Sequence, residues 1–426
     1  MGLRTRSKYG ALIGLMRNER RSLRELVELQ ERKLQQLARH AYEHVPFYRR
    51  LFREAGIGPA DIRGAADLAR LPVVDKNLLR AQPLEDLIDR RVKLDTLIER
   101  HTSGSSGAPF RFFVDRDFDA FCKAQYLRPY LTNGRTPFDR VLRLTITPSS
   151  GRRWFQRLGL MREDRLAGDE RPQALLAAFL AAQPDVLQGY PSRLLALAGA
   201  IEREKSKFIA PRVVFSDSEL LTQAARKQIE HLLGARILDV FGSYETDNIG
   251  YECRERCGYH LAIDCVVPEF LVDGRPAAPG EPGELVCTVL HNYAMPLIRY
   301  NLQDIAARSA HPCACGRGLP LMSVVEGRTV DCVLRPDGTK ESPMRFLARF
   351  DYMSEFALEY QVAQTAYDEF RVTLVPRREL RAGDREFIVG AILEQYPRAH
   401  VTVVEAADIP REPSGKRRMF HSEIRR

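Results

Sequence analysis

The residues best suited to nucleotide chemistry begin with a loop of hydroxyl groups and glycines between two apolar stretches. It consists of Thr102, Ser103, Gly104, Ser105, Ser106 and Gly107. Such a loop offers backbone N–H and side-chain O–H donors to a polyphosphate, because glycine lets the backbone approach closely. It is not a Walker loop, since no Lys-Ser or Lys-Thr follows Gly107. A surface linker of serine and glycine has the same composition, so both interpretations stay open.

A second segment combines an aromatic ring with an acid at the end of an expected strand. It reads Phe241, Gly242, Ser243, Tyr244 and Glu245. The ring could stack on a purine, and the Glu245 carboxylate could hold Mg²⁺ against phosphates. The alternative is a strand end and turn with an aromatic side chain in the core.

Two single residues later in the chain could complete a nucleotide site. Asp304 follows a buried strand and could accept hydrogen bonds from ribose hydroxyls, although an acid there is more often a turn residue. Lys416 follows Gly415 near the C-terminus and could neutralise charge in a phosphoryl-transfer transition state. Most lysines near a terminus are simply solvated.

The cysteines suggest a separate metal site. Cys253 and Cys257 form one close pair, and Cys313 and Cys315 form another. Two thiolate pairs from separate segments are typical of a tetrahedral Zn²⁺ site, and His260 could replace one thiolate. The alternative is four free thiols. Because the pairs flank the nucleotide segments rather than forming them, we expect a structural metal.

The order of these segments resembles the adenylate-forming superfamily, which includes acyl-CoA ligases, peptide-synthetase adenylation domains and luciferases. The chain is most similar to the phenylacetate–CoA ligase branch, which includes capsular-polysaccharide ligase-like proteins. Three further segments carry that resemblance: His44–Tyr48, Leu71–Lys76 and Asn292–Tyr300. The resemblance covers nearly the whole chain.

The resemblance implies a role for each candidate residue. Ser103 to Gly107 would hold the β- and γ-phosphates, Ser218 and Glu219 would contact adenine, and Phe241 would flank the ring. Glu245 would bind Mg²⁺, Asp304 the ribose and Arg328 the nucleotide near a hinge, while Lys416 would be the adenylation lysine. The chain departs from the family pattern at two points. Tyr244 stands where Thr or Ser is usual, and Asp331 alone represents the usual acidic pair after Gly-Arg.

The expected activity is ATP-dependent activation of a carboxylic acid to an acyl-AMP, with release of pyrophosphate and then transfer to CoA. An amine or a carrier-protein thiol could be the acceptor instead. A nucleotide-binding relative without turnover is the alternative from another class of protein. The identity of the acid and the oligomeric state are not readable from the sequence.

The elements that must position these residues are predicted from periodicity. Residues 20–55 show helical spacing that Pro46 interrupts, and a strand–loop–strand pattern surrounds the Ser/Gly loop. Helical segments alternate with β-branched runs from 171 to 249, which is typical of an α/β domain. We expect a large amino-terminal α/β domain, residues 1–330, and a small mobile α+β carboxy-terminal lid, residues 331–426.

Composition and charge restrict the remaining classes of protein to which the chain could belong. The net charge of +9 is spread among 56 acidic residues, so nucleic-acid binding is not expected. The apolar run from Tyr9 to Met16 is too short for a membrane span, and no small-residue cleavage site follows it. We therefore expect a cytoplasmic protein whose eight cysteines are thiols or metal ligands.

Overall fold

A computed structural model describes residues 8–101, 110–145, 154–167, 171–328, 332–341, 343, 347–410 and 419–424. The chain divides into two compact units, each made from two separate segments. The first unit contains residues 1–133 and 240–325, and the second contains residues 134–239 and 326–426. The Ser/Gly loop and Lys416 lie outside the described residues.

The helices and strands follow each other along the chain with short connections. The α-helices are α1 (Lys8–Asn18), α2 (Leu23–His44), α3 (Pro46–Glu54), α4 (Lys76–Arg80), α5 (Leu84–Leu87), α6 (Arg116–Thr132), α7 (Trp154–Arg157), α8 (Pro172–Ala182), α9 (Pro191–Glu204), α10 (Gln223–Leu233) and α11 (Ala382–Leu393). The 3₁₀ helices are Pro59–Asp61, Ala65–Arg70, Leu94–Thr96 and Ala348–Glu355. The strands are β1 (Ile98–His101), β2 (Arg111–Val114), β3 (Val141–Thr145), β4 (Glu163–Ala167), β5 (Val186–Gly189), β6 (Val213–Asp217), β7 (Ile237–Ser243), β8 (Asp247–Glu252), β9 (Tyr259–Leu261), β10 (Val266–Val272), β11 (Arg275–Pro276), β12 (Gly283–Val289), β13 (Tyr300–Arg308), β14 (Leu321–Arg328), β15 (Val333–Leu334), β16 (Lys340–Glu341), β17 (Ala357–Ala366), β18 (Glu369–Pro376), β19 (His400–Glu405) and β20 (Phe420–Ser422).

The first unit is built on neighbouring strands of a β-sheet, in the order β11-β10-β12-β13-β14-β9-β8-β7. Its recorded strand pairs are antiparallel. Helix α2 begins with a capping box, in which Ser22 accepts the amide of Glu25 and Glu25 accepts the amide of Ser22. Its apolar residues recur at helical spacing and form the buried face, which includes Leu26, Leu34 and Leu37.

The second unit contains the parallel strands β6-β5-β3-β4. Leucine-rich faces of α8, α9 and α10 bury the core beside these strands, with Leu175, Leu197 and Ile229 at its centre. The same unit holds the four-stranded sheet β19-β18-β17-β20 and helix α11. These elements share a second core around Phe350 and Val372.

The main elements predicted from periodicity are confirmed. Helix α3 begins at Pro46, where the missing N–H costs no helical hydrogen bond. Strands β1 and β2 flank the Ser/Gly loop, and β17, β18, α11 and β19 follow each other as expected. The domain boundary near residue 330 stays a prediction. No helix among the described residues is long and apolar enough to cross a membrane.

Candidate active site

The segment that carries Glu245 is a tight turn between β7 and β8. The Ser243 hydroxyl oxygen accepts the backbone amides of Glu245 at 3.2 Å and Thr246 at 3.3 Å. Gly242 is required next to this turn, because a Cβ atom there would lie 2.2 Å from the Asp247 carbonyl oxygen. The Phe-Gly-Ser-Tyr-Glu sequence therefore fixes the backbone that presents the Glu245 carboxylate.

The Glu245 side chain is buried and held by two partners from distant parts of the first unit. The Tyr300 hydroxyl donates to Oε1 of Glu245 at 2.9 Å, and Lys76 Nζ lies 3.3 Å from the same oxygen. Burial alone would raise the pKa of the Glu245 carboxyl, but Lys76 and hydrogen bonds from the turn and Tyr300 outweigh it. The pKa is therefore below its usual value, and the carboxylate is ionised at neutral pH.

The aromatic residues of the segment differ in exposure. Phe241 is half-buried, and its ring meets that of Tyr259 edge-on with centroids 6.3 Å apart. It pairs with Gly250 across the sheet, where a Cβ would crowd Met322 at 3.0 Å. Tyr244 is 50% exposed and so presents its phenol to solvent. The departure from the family pattern thus adds an accessible ring beside the buried carboxylate.

Asp304 is buried in β13, the strand that begins with Tyr300. The pairing of β12 with β13 is irregular between Glu284 and Val286, and Gln303 has a positive φ of 64°. A β-bulge of this kind redirects the side chains that follow it. Arg328 is the last residue of β14.

Ser218 and Glu219 belong to the second unit, at the carboxyl end of the parallel strand β6. Ligands of α/β sheets commonly bind at such strand ends. Ser218 is exposed and has a φ of 69°. The Glu219 carboxylate accepts the backbone amide and the hydroxyl of Ser192, both at 3.0 Å, near the start of α9. Glu219 therefore already has a structural role as an acid at a helix N-terminus.

Lys76 is the residue that sequence reasoning left without a role. It is the first residue of α4, whose N-cap is Asp75. A cation at the positive end of a helix is unfavourable unless an acid compensates for it. Asp75 already supplies such an acid, so no local signal in the sequence points to Glu245 as the partner of Lys76.

The cysteine segments come together in the first unit. Cys253, His260, Cys313 and Cys315 each place one ligand atom so that all four lie within 4.8 Å of one another. Cys253 Sγ is 3.5 Å from Cys313 Sγ, and Cys315 Sγ is 3.3 Å from His260 Nε2. Three of these residues are buried and Cys315 is half-buried. Burial, followed by the charge of Arg317, lowers the pKa of His260 to about 4, so the imidazole is neutral, as a metal ligand must be.

Cys257, one of the four cysteines expected as ligands, lies outside this group of neighbouring ligand atoms. Its side chain is exposed, and its thiol lies 3.6 Å from the Glu255 carbonyl oxygen. The reason is the β8–β9 hairpin, which pairs Tyr251 with His260 and leaves Cys257 in the connecting turn. His260, the alternative weighed from the sequence, is the fourth member of the cluster.

A buried ion network lies beside the cysteine–histidine cluster. Arg128 contacts Glu19 at 2.5 Å and Asp264 at 2.8 Å, and all three side chains are almost fully buried. Arg317 binds Glu19 at 2.8 Å and also lies 3.8 Å from Cys315 Sγ. Burial would raise the pKa of Asp264, but Arg128 and Lys33 outweigh it and lower the pKa to about 2. The network therefore ties the turn after α1, helix α6 and the cluster together.

The fold and the sequence have clear relatives among known proteins. A crystal structure of 2-hydroxyisobutyryl-CoA ligase in the postadenylation state matches with a TM-score of 0.79 and 22% identity, over 96% of this chain and 91% of that one. An anthranilate CoA ligase bound to anthranoyl-AMP matches with a TM-score of 0.56 and 15% identity, over 82% and 73%. These matches establish the fold of the adenylate-forming acyl-CoA ligases. No family model matches the chain.

Sequence similarity gives the family. Phenylacetate–coenzyme A ligase of Escherichia coli is 31% identical over 331 residues, which is 74% of each chain. The Thermus thermophilus enzyme of the same name is 30% identical over 344 residues, 73% of this chain and 72% of its own. The chain belongs to the phenylacetate–CoA ligase family. It is an AMP-forming acid–thiol ligase, as the resemblance of its motifs predicted.

Proposed function

We propose that the chain activates an aromatic or related carboxylic acid, with phenylacetate the first to test because the relatives above are named for it. The main support for the site is Glu245, whose carboxylate is buried and ionised. It lies in a turn that requires glycine at position 242, because a Cβ there would overlap the backbone. The substrate carboxylate would attack the α-phosphorus of ATP as the bond to pyrophosphate breaks. The CoA thiol would then attack the acyl carbon, lose its proton to solvent and release AMP.

Each candidate site residue would have its own role in binding the nucleotide or the cation. Glu245 would hold Mg²⁺, while its Oε1 accepts the Tyr300 hydroxyl and pairs with Lys76. A bound Mg²⁺ supplies charge neutralisation at the phosphates. Asp304 would bind the ribose, Ser218 and Glu219 the adenine, and Phe241 would flank the ring. Thr102 to Gly107 would donate to the β- and γ-phosphates, Arg328 would contact the nucleotide, and Lys416 would stabilise the adenylation transition state.

Residues 331–426 would act as a lid that moves between the two half-reactions. Support comes from the separate hydrophobic core that these residues form around Phe350 and Val372. The same movement would serve an amine or a carrier-protein thiol as acceptor, so the acceptor needs its own test. A cytoplasmic location stays a prediction.

We further propose that Cys253, His260, Cys313 and Cys315 bind one structural Zn²⁺. Three sulfur atoms and one imidazole nitrogen within 4.8 Å are a donor set that suits tetrahedral zinc. The proposal rests on the chemistry and the proximity of these donors. The metal would join the β8–β9 hairpin to the loop between β13 and β14.

A screen of carboxylic acids for pyrophosphate release and acyl-CoA formation tests the function. We expect release that depends on the acid and thioester formation that depends on CoA. Nucleotide binding without release for any acid would favour the non-catalytic relative. Release of pyrophosphate without thioester, followed by acyl transfer to an amine or a carrier protein, would identify a different acceptor.

A further inference from the structure

One surface of the second unit exposes large hydrophobic side chains that the proposed reaction does not use. Trp154 is 73% exposed, Leu158 is 71% exposed and Phe138 is 68% exposed. Within the described ranges of the chain, no other large hydrophobic side chain is as exposed as these three. Single exposed hydrophobic side chains are ordinary, whereas several in one region are typical of a surface that binds a partner or a membrane.

Hydrogen bonds join the two segments that carry these side chains. Helix α7 begins at Trp154, whose ring meets that of Phe155 edge-on with centroids 5.9 Å apart. The Leu158 amide donates to the Phe155 carbonyl oxygen at 3.1 Å and closes the turn that follows α7. The Arg162 guanidinium then donates to the Phe138 carbonyl oxygen at 3.0 Å. The exposed side chains therefore belong to one folded region next to β4, at the edge of its sheet.

The exposed charges of this region are positive. Arg157 and Arg162 are exposed, and no acidic residue lies between Trp154 and Arg162 in the chain. The acid that follows, Glu163, is paired with Arg165 at 2.7 Å. The Trp154 surface is defined by Phe138, Trp154, Arg157, Leu158 and Arg162.

A membrane that contains anionic lipids matches both parts of the Trp154 surface. Tryptophan is enriched at membrane–water interfaces, because the indole has an apolar body and a polar N–H group. Each arginine close to an anionic membrane strengthens binding about fivefold. Binding through three hydrophobic side chains and two arginines is reversible, and it requires no membrane-spanning helix.

The same features argue against two other occupants, a second copy of the chain and a nucleic acid. Three side chains of this size expose on the order of 400 Å², whereas a stable interface buries about 800 Å² per partner. A twofold contact would also bring two positively charged surfaces together. Single-stranded nucleic acid stacks its bases on aromatic rings, which gives Leu158 no role.

We propose that the Trp154 surface binds the protein peripherally to membranes that contain anionic lipids. Trp154, Leu158 and Phe138 would enter the headgroup region, while Arg157 and Arg162 would contact lipid phosphates. This interaction does not depend on the acid or the acceptor of the proposed reaction.

The fluorescence of Trp154 tests the proposal, because it is the only tryptophan of the chain. The full-length protein is titrated with vesicles of equal parts phosphatidylglycerol and phosphatidylcholine, and with vesicles of phosphatidylcholine alone. We expect the anionic vesicles to shift the emission to shorter wavelength, with half-saturation on the order of 0.1–1 mM lipid. Binding to the neutral vesicles should be at least about tenfold weaker. Brominated acyl chains in the anionic vesicles should quench the emission.

Three variants that keep Trp154 show whether its surroundings carry the binding. Leu158→Ser should weaken binding to the anionic vesicles about tenfold, because an apolar contact is lost. Arg157→Ser should weaken it about fivefold, because one positive charge is lost. Ile209→Ser is the matched control and should bind like wild type, since Ile209 is 66% exposed in the connection between α9 and β6, outside the Trp154 surface.

An emission spectrum that anionic vesicles leave unchanged would overturn the proposal. Equal binding by wild type and Leu158→Ser, in protein of unchanged Tm, would also overturn it, because the lipid would then bind elsewhere. Two further outcomes would replace the membrane with another occupant. A lipid-free blue shift that grows with protein concentration, together with a dimer in ultracentrifugation, would identify a second copy. Quenching by single-stranded DNA without any response to vesicles would identify a nucleic-acid surface.

Discussion

Measurements of zinc content and stability should distinguish the variants Cys253→Ser and Cys257→Ser. The sequence predicts both cysteines as zinc ligands, but in the structure Cys253 belongs to the cluster and Cys257 does not. Cys253 is 1% exposed and 3.5 Å from Cys313 Sγ, whereas Cys257 is exposed and outside the cluster. Replacing Cys253 with Ser removes one of four ligands, and replacing Cys257 with Ser removes none. We expect about one zinc per chain in wild type and in Cys257→Ser, and less than about 0.2 in Cys253→Ser.

The stability effect follows from linkage between metal binding and folding. At free zinc a thousandfold above its dissociation constant, the metal adds about 4 kcal/mol to the free energy of unfolding. In domains of roughly 150–250 residues, 1 kcal/mol shifts Tm by about 2–4 °C, so loss of zinc should lower Tm by roughly 8–16 °C. Elemental analysis of protein prepared without chelators and differential scanning calorimetry provide the two readouts.

The control variants make the result specific. Cys257→Ser should match wild type in both readouts, and His260→Asn should behave like Cys253→Ser. Zinc lost from Cys257→Ser but retained in His260→Asn would show that the four-cysteine set is the correct one. A zinc-free wild type of unchanged stability would remove the site altogether.

Three further predictions concern the turn, the ion network and the lid. Gly242→Ala should lower the free energy of unfolding in urea by about 1–3 kcal/mol, because the added Cβ would overlap the Asp247 carbonyl oxygen. Gly383→Ala is the control and should not destabilise the protein, because its Cβ would meet nothing within 4 Å. The folded pKa of Asp264 lies below its unfolded value, so its contribution, on the order of 2 kcal/mol, is present above pH 4 and lost as the pH falls towards 2. Asp264→Asn should therefore show a smaller loss of unfolding free energy between pH 4 and pH 2 than wild type, and an equal loss would contradict the assignment. Lys416→Ala should slow single-turnover acyl-AMP formation at least about 100-fold while ATP binding changes much less, and a wild-type rate would exclude Lys416.

Local patterns were sufficient to predict much of the fold. The helical spacing of Leu26, Leu34 and Leu37, and the position of Pro46, predict α2 and the start of α3 because both are properties of neighbouring residues. Strand β18 of the small sheet after residue 356 alternates between buried and less buried residues, as expected. The division into two interleaved units was not predictable, because it depends on which distant strands pair.

Prediction of the candidate site from the sequence is limited in the same way, because the site depends on contacts between distant residues. The Glu245 turn could be identified from its residues, but its partners Lys76 and Tyr300 are 169 and 55 residues away in the chain. Their meeting depends on the parallel bridge between Val74 and Tyr300, which no local pattern encodes. Similarly, the choice of His260 over Cys257 depends on the register of the β8–β9 hairpin.

Single-turnover formation of acyl-AMP by wild type and Glu245→Gln tests the central claim most directly. The substitution preserves the shape of the side chain and removes the charge that would hold the cation. We expect acid-dependent pyrophosphate release in wild type, a rate at least about 100-fold lower in Glu245→Gln, and a wild-type rate in the surface control Glu28→Gln, whose side chain is 50% exposed. A wild-type rate in Glu245→Gln, in protein of unchanged Tm, would contradict the account.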